Sequence, residues 1–509
     1  MTFKPLLLAL ALALPLASCH SASTPARVAH ASEIAWRHGD VDDALAEAKE
    51  QGKPVLLYWG AVWCPPCNQM KATLFKDASF VAETEQFVPV YLDGDTPGAQ
   101  RWGERFGISG YPTVIVVRPD GTEVTRISSA TMAGQLPELL RVAAGRTTSI
   151  EALLASAQSD PAKLSADDWR ILGDFDWRND PKHFKDQARA GKLLDTLANA
   201  APDAALKRRF ALLSLVTTVE TDDAGKARLS AAQQAGVAAV LAPILASKAE
   251  VLSNRQELIY DAAGLVSALP DAAQRAALGK GLIAAADTIY ADAGLSLTER
   301  VDALGVDVEL AKARGGKVPP ALLAKVQDRA RWADAQAKDK LSRQSVIDDA
   351  AYLLFNAGDK AGARKLLTAE LTRSDQPYYY MSSLSDFAEK DGDKAGAVAW
   401  ARKAYDASQG PATRVQWAVN YSTAVMRLNP GDRAAVTASA DAVLGELGKS
   451  GDGYYQRTRV KIAKWGEKLA AWSAANHGGA VLADVRSRMG AVCARQGAQA
   501  AACNAWLKA

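Results

Sequence analysis

The residues best suited to chemistry are two cysteines three apart, Cys64 and Cys67, in the segment Trp63-Cys64-Pro65-Pro66-Cys67. A thiolate is both the nucleophile of disulfide exchange and a metal ligand, so this spacing serves either use. The apolar run Pro54 to Trp59 precedes the pair and reads as a buried strand, and a helix is expected to start at Pro65. Cys64 then stands just before a helix, where unpaired N–H groups and the positive end of the dipole favour a thiolate. That makes it the attacking sulfur. Cys67, nearly one turn further in, is more buried and placed to break a mixed disulfide and release the partner, which is the resolving role. Pro65 suits the first helical position, where no N–H is wasted and φ is preset.

Zinc is disfavoured by the rest of the sequence. A structural site needs four ligands, the other late cysteines are ten apart near the C-terminus, and His20, His30, His38, His183 and His477 are scattered. An inert stabilising bridge is a further reading of the pair. Five cysteines are an odd number, and Cys19 accounts for the oddness. Met1 to Lys4 is a short basic start, Leu6 to Leu16 is apolar, and Ala17-Ser18-Cys19 is a small-residue exit, the layout of an export signal. The exit Leu16-Ala17-Ser18-Cys19 resembles the lipobox of bacterial lipoproteins. That resemblance implies a signal peptide over 1–18, acylation of Cys19, and a tether over 19–33. Cleavage near Ala22 with an incidental Cys19 is the alternative. His20 is not the Asp that retains such proteins at the inner membrane, so the expectation is attachment to the outer membrane facing the periplasm. Cys64 with Cys67 and Cys493 with Cys503 then remain as two pairs suited to an oxidising compartment. No other segment reaches the ~18 apolar residues of a membrane span.

The whole chain has 509 residues, enough for about three domains or for one small domain joined to an array. Hydrophobic residues at 49% and charged residues at 23% describe a globular chain. A net charge of +3 lacks the basic footprint of a nucleic-acid binder. Elements alternate from Ile34 to about Gly145. Asp40 caps a helix through Lys49, helices follow over Ala78 to Gln86, Pro97 to Phe106 and Ala133 to Ala143, and strands over Phe87 to Leu92, Thr113 to Val117 and Glu123 to Ser128. The turn Arg118-Pro119-Asp120-Gly121 joins the last two strands. The expected arrangement is α/β, a mixed sheet flanked by helices over 34–146, followed by an all-α region over 147–509.

Trp63-Cys64-Pro65-Pro66-Cys67 on a strand-to-helix turn, with Gly110-Tyr111-Pro112-Thr113 further on, resembles the thioredoxin fold. The resemblance covers under a quarter of the chain. It implies a cis proline at Pro112, client contacts at Trp63, Pro65, Pro66, Tyr111 and Pro112, and thiol-disulfide exchange with no cofactor beyond the dithiol itself. The sequence departs from the family at two places. Tyr58 stands where many relatives have a buried acid, and Tyr91 where a lysine is common, so the usual proton relay is missing; Asp93 is a candidate substitute. Pro65 and Pro66 remove two amide donors from the thiolate, which favours the disulfide and makes the reduced form a better reductant. A reductase or isomerase fed by a membrane-borne donor is the preferred direction.

Beyond Thr148 the sequence is helical and rich in Ala. Gly358-Asp359-Lys360-Ala361-Gly362-Ala363 recurs as Gly392-Asp393-Lys394-Ala395-Gly396-Ala397, an offset of 34, with Pro377 recurring as Pro411. This resembles tetratricopeptide repeats, which implies helical hairpins with a concave face for partners; an irregular α-helical domain is the alternative. Tyr378 to Tyr380, Trp400, Tyr405, Trp417 and Tyr421 could line that face or fill the core. A Cys493–Cys503 bridge would cap the array. The combined reading is an exported, lipid-anchored thiol-disulfide oxidoreductase acting on protein clients, with the helical region selecting them. Its rival is an assembly or scaffold lipoprotein that uses the thioredoxin-like unit only as a platform. The enzyme reading requires the two sulfurs to be reachable and free of metal.

Overall fold

The computed structural model describes residues 33–127, 135–180, 182–222, 225–449, 451 and 453–506. The export segment, Cys19 and the tether before Glu33 lie outside them, as do Ser128 and Ala133, the expected ends of a strand and a helix.

The N-terminal unit is a four-stranded sheet of β1 (Val55–Gly60), β2 (Val88–Asp93), β3 (Thr113–Val117) and β4 (Glu123–Ile127), in the order β2-β1-β3-β4. β1 runs parallel to β2 and antiparallel to β3, and β3 is antiparallel to β4. Five helices pack on it: α1 (Val41–Gln51), α2 (Pro65–Ala72), α3 (Ala78–Thr84), α4 (Pro97–Phe106) and α5 (Leu136–Ala144). Successive residues of a strand point to opposite faces. Leu56, Tyr58, Val114 and Val116 therefore join one apolar cluster with Met70, Phe80 and Leu140. Val55, Leu57, Trp59 and Ile115 join another with Val41, Ala48, Trp102 and Phe106. Helices on both faces explain why β1 is apolar without alternation. Asp40 caps α1 by accepting from Asp42 N–H, and the Trp102 indole also donates to it at 2.9 Å.

Among the described residues from Ile150 to Ala505 the regular structure is helical apart from a hairpin of two-residue strands at Glu220–Thr221 and Ala227–Arg228. The apolar cluster under the sheet continues through α5 into Leu153, Trp169, Leu194 and Phe210. Buried charges fasten the same junction. Arg126 on β4 pairs with Glu123 at 2.5 Å and with Asp180 at 3.2 Å, and Lys182 reaches Glu123 at 2.7 Å.

The repeated hexapeptide has a local cause. Gly358 (φ 104°) and Gly392 (φ 82°) end the helices Lys340–Ala357 and Pro377–Lys390 in the left-handed conformation that glycine adopts without strain. Asp359 and Asp393 then cap the helices Lys360–Glu370 and Lys394–Ala407 by accepting from Gly362 and Gly396 N–H, each at 2.8 Å. A Cβ at Gly362 or Gly396 would collide with the capping carboxylate. A third hairpin follows: Asp432 caps Arg433–Gly448 by accepting from Ala435 N–H, after the helix Pro411–Leu428. Here Arg433, Ala435 and Val436 replace the lysine, the inner glycine and the last alanine, which hides the third hairpin from a letter match. Cys493 and Cys503 form a disulfide with Cα atoms 5.2 Å apart, buried against the final helices.

Candidate functional site: a covered disulfide

β1 delivers the chain to Ala61, and α2 starts four residues later with prolines at its first two positions. Cys64 is the N-cap, in extended conformation, and its Sγ accepts from Cys67 N–H at 3.3 Å. Proline at 65 and 66 leaves this amide as the first N–H of the helix, so Cys67 supplies the donor its two predecessors lack. Cys64 and Cys67 are disulfide-bonded, with Cα atoms 5.2 Å apart. The Tyr111–Pro112 bond is cis, and Tyr111 lies 5.9 Å from the Trp63 ring. Tyr111 Oη donates to Gly94 O at 3.3 Å and accepts from Gln100 Nε2 at 3.0 Å, which fixes the loop against β2. Among the described residues no three of His, Cys, Asp and Glu gather as metal ligands.

The requirement of a reachable sulfur is not met in this conformation. Cys64 is 2% exposed and Cys67 0%, because the helical region closes over them. Tyr378, Ala404 and Trp417 form one apolar cluster with Ala61, Trp63 and the two cysteines. Tyr379 stacks on Trp63 at 6.3 Å and meets Trp417 edge-on at 5.5 Å. Of the aromatics that could line a face or fill the core, Tyr378, Tyr379 and Trp417 do neither and cover the disulfide, while Tyr421 is buried in the core of the last helices. Tyr380, in contrast, is 1% exposed and packs with Leu384 and Phe387.

Polar contacts hold the cover down. Gln344, in the 340–357 helix, donates to Trp63 O at 3.1 Å and accepts from Asn68 Nδ2 at 2.8 Å. Gln69 donates to Ser296 Oγ at 2.6 Å. Asp95 accepts from the Trp63 indole at 2.7 Å and from Thr413 N–H at 3.0 Å. Burial pushes its carboxyl above the ordinary aspartate range, although these two bonds pull the other way. Gly410, at φ 89°, precedes the 411–428 helix, and a Cβ there would collide with the Asp95 carboxylate. Arg459 adds an ion pair to Glu104 at 2.6 Å. Gln344 and Thr413 carry no sequence signal of their own, and the local signals of Ser296 and Gly410, a capping box with Glu299 and a glycine before Pro411, say nothing of contacts hundreds of residues away.

A model of the thioredoxin-like domain matches residues 41–144. The thioredoxin H-type of Oryza sativa subsp. indica is 30% identical over 100 residues, which cover 19% of this chain and 75% of that protein. This chain belongs to the thioredoxin family. The thiol:disulfide interchange protein DsbD 1 of Pseudomonas aeruginosa is 33% identical over 110 residues, 21% of this chain and 19% of that protein. DsbD of Neisseria meningitidis serogroup B is 33% identical over 84 residues, 16% of this chain and 14% of its own length. The chain thus spans under a fifth of the length of these DsbD relatives.

As a member of the thioredoxin family it departs from the common pattern under the site. Tyr58 and Tyr91 are register partners on β1 and β2, stacked at 5.5 Å, and both hydroxyls are buried without a hydrogen-bond partner among the described residues. Burial pushes both phenols far up, so neither trades protons near neutrality. Lys71, one turn beyond Cys67 on α2, holds its amine 5.3 Å over the Tyr91 ring. Burial lowers it below the ordinary lysine range against the opposing charge of Asp93. Asp93 itself accepts from Asp95 N–H at 3.1 Å at the end of β2.

Proposed function

We propose that this protein is an exported thiol-disulfide oxidoreductase, anchored by lipid at Cys19 on the periplasmic side of the outer membrane, that reduces or isomerises disulfides of protein clients. The observation that carries the reading is Cys64 as the N-cap of α2 with Cys67 N–H donating to its sulfur. A thiolate at Cys64 is stabilised there and attacks a client disulfide, forming a Cys64–client bond and releasing one client thiolate. Cys67 then attacks the Cys64 sulfur and releases the second client thiolate, leaving the Cys64–Cys67 disulfide. The client gains the two electrons that the pair loses. A membrane-borne reductant would restore the dithiol. The DsbD relatives are named thiol:disulfide interchange proteins, which supports exchange chemistry at the pair.

Exchange on a folded client requires the cover of Tyr378, Tyr379 and Trp417 to move aside. The helical hairpins, read as tetratricopeptide-like, supply the binding surface. Leu16-Ala17-Ser18-Cys19 supports export and acylation. The burial of both sulfurs favours a second reading, a scaffold lipoprotein whose thioredoxin-like unit is a docking platform. Trapping separates the two. Cys67→Ala cannot resolve a mixed disulfide, so alkylated extracts should contain Cys64-linked partners that disappear in Cys64→Ser/Cys67→Ala. A variant free of such adducts supports the scaffold.

A further inference from the structure

The helix Gln456–Ala475 carries Arg457, Lys461, Lys464 and Lys468, which at 3.6 residues per turn fall within about 60° of one another. Arg457 leads this stripe. Its guanidinium lies 5.3 Å from the Trp63 ring centre and 4.9 Å from that of Tyr111. Its Nη1 is buried and has no hydrogen-bond partner among the described residues. Asp95, the carboxylate beside Trp63, is bonded to Trp63 and Thr413 instead. A buried guanidinium N–H without an acceptor carries a desolvation cost that an incoming carboxylate would recover.

The three lysines line a groove of about 310 Å³ faced also by Ser382, Asn420 and Trp417. The acids of that groove are already paired, Asp386 with Lys390 at 2.7 Å and Glu389 with Arg427. Glu467, on the same helix, lines a different cavity with Arg459 and Arg486. Burial and the charges of Arg457, Lys468 and Lys464 hold the Lys461 amine below the ordinary lysine range. The groove is also contiguous with the redox pair, because Ala404 and Trp417 belong both to its wall and to the cluster around Cys64 and Cys67.

We propose that Arg457 and the lysines behind it select clients, binding a polypeptide segment whose acidic residues flank the cysteine presented to Cys64. This inference rests on the exchange reading and adds the chemistry of the partner. A polypeptide is favoured over an anionic membrane because the stripe begins on Trp63 and Tyr111, beside the sulfurs, and an occupant there must bring its own sulfur.

The test uses the full chain, reduced and freed of reductant, in single-turnover reactions with three peptides. Each carries one cysteine as a mixed disulfide with 5-thio-2-nitrobenzoate, flanked by Glu, Gln or Lys. Attack of Cys64 on the peptide sulfur releases the coloured thiolate, and Cys67 then displaces the peptide thiol and closes the Cys64–Cys67 bond. The Glu peptide should react about tenfold faster than the Lys peptide at low salt, and the gap should close near 1 M salt, where charges are screened beyond about 3 Å. Arg457→Glu/Lys461→Glu should reverse the order, a gain that misfolding cannot produce, and Arg457→Lys should keep it. Equal rates for the three peptides, or an unreversed order in the double variant, overturn the proposal. If no thiolate is released above the Cys64→Ser background, the exchange reading fails, and anisotropy of the labelled Glu peptide on Cys64→Ser decides the binding claim alone. Binding of the peptide supports it; binding only to phosphatidylglycerol vesicles overturns it.

Discussion

Gln344 donates a hydrogen bond to the main-chain carbonyl of Trp63 at 3.1 Å, across 281 residues of sequence. Its amide oxygen accepts from Asn68 at the same time, so one side chain of the helical region grips both flanks of the cysteine pair. Gln344→Ala removes two hydrogen bonds, each worth about 0.5–1.5 kcal/mol. If the cover gates access, Cys64 in the reduced protein should alkylate about tenfold faster or more in this variant, and faster again with Tyr379→Ala added. Mass spectrometry of iodoacetamide time courses measures it. Rates equal to the parent protein would show that the cover does not control reach.

The prolines of the redox loop set a second expectation. In an N-capped helix the side chain of the cap accepts from the second or third amide, and Pro66 deletes the second, leaving Cys67 N–H at 3.3 Å from Cys64 Sγ. Pro66→Ala restores that donor and stabilises the thiolate, hence the reduced form. The potential of the pair should therefore rise by about 30 mV, equivalent to about 1.4 kcal/mol for two electrons. Equilibration with glutathione buffers, read by alkylation, gives the value; a lower potential in the variant contradicts the account.

The bridge at the C-terminal end predicts a loss of stability rather than of chemistry. Cys493 and Cys503 enclose a short loop, for which chain entropy gives about 3 kcal/mol. Both cysteines pack with Trp465, Met489 and Trp506. Cys493→Ser/Cys503→Ser should lower the denaturant midpoint of the helical signal while leaving the potential of the Cys64–Cys67 pair unchanged. An undiminished midpoint would remove the capping role.

Local features were legible in the sequence and long-range ones were not. α4 and β3 have the expected limits, Pro97–Phe106 and Thr113–Val117, because proline, capping threonine and β-branched runs act on their own neighbours. The mixed sheet and the following helices were legible for the same reason. The letters of Gly358 to Ala363 and Gly392 to Ala397 revealed two hairpins, whereas Arg433, Ala435 and Val436 masked the third. What could not be read was the closure of Tyr378, Tyr379, Gln344 and Arg457 on Trp63. A glutamine on a helix face and an arginine on a basic stripe have the same local signature whether they meet solvent or a redox loop. Only the packing of the helical region onto α2 decides between them. The same packing carries the apolar cluster from Leu56 through Leu140 to Phe210, past the change in sequence pattern near Arg146.

The buried charges beside β4 predict how stability follows pH. His183 is hydrogen-bonded to Asp180 and lies 3.2 Å from Glu151, while Asp180 also pairs with Arg126. Burial alone would lower the imidazole, but the bond to Asp180 and the charges of Asp180 and Glu123 outweigh it, and His183 ends above its ordinary value. Burial alone would raise Asp180, but the bond to His183 and the charge of Arg126 outweigh it, and the carboxyl ends below its own. A raised histidine contributes stability that is complete below its unfolded value, about 6.5, and is lost as pH rises through the folded value. A lowered aspartate contributes stability that is complete above its unfolded value, about 3.9, and is lost as pH falls through the folded value. Both contributions are whole between about pH 4 and 6.5 and decline on either side. Thermal midpoints of the parent protein and of His183→Gln should differ most within that window, and the gap should narrow as pH rises past the folded value of His183. A gap of constant size from acid to alkali would mean that His183 holds this junction by packing with Phe175 alone and not by charge.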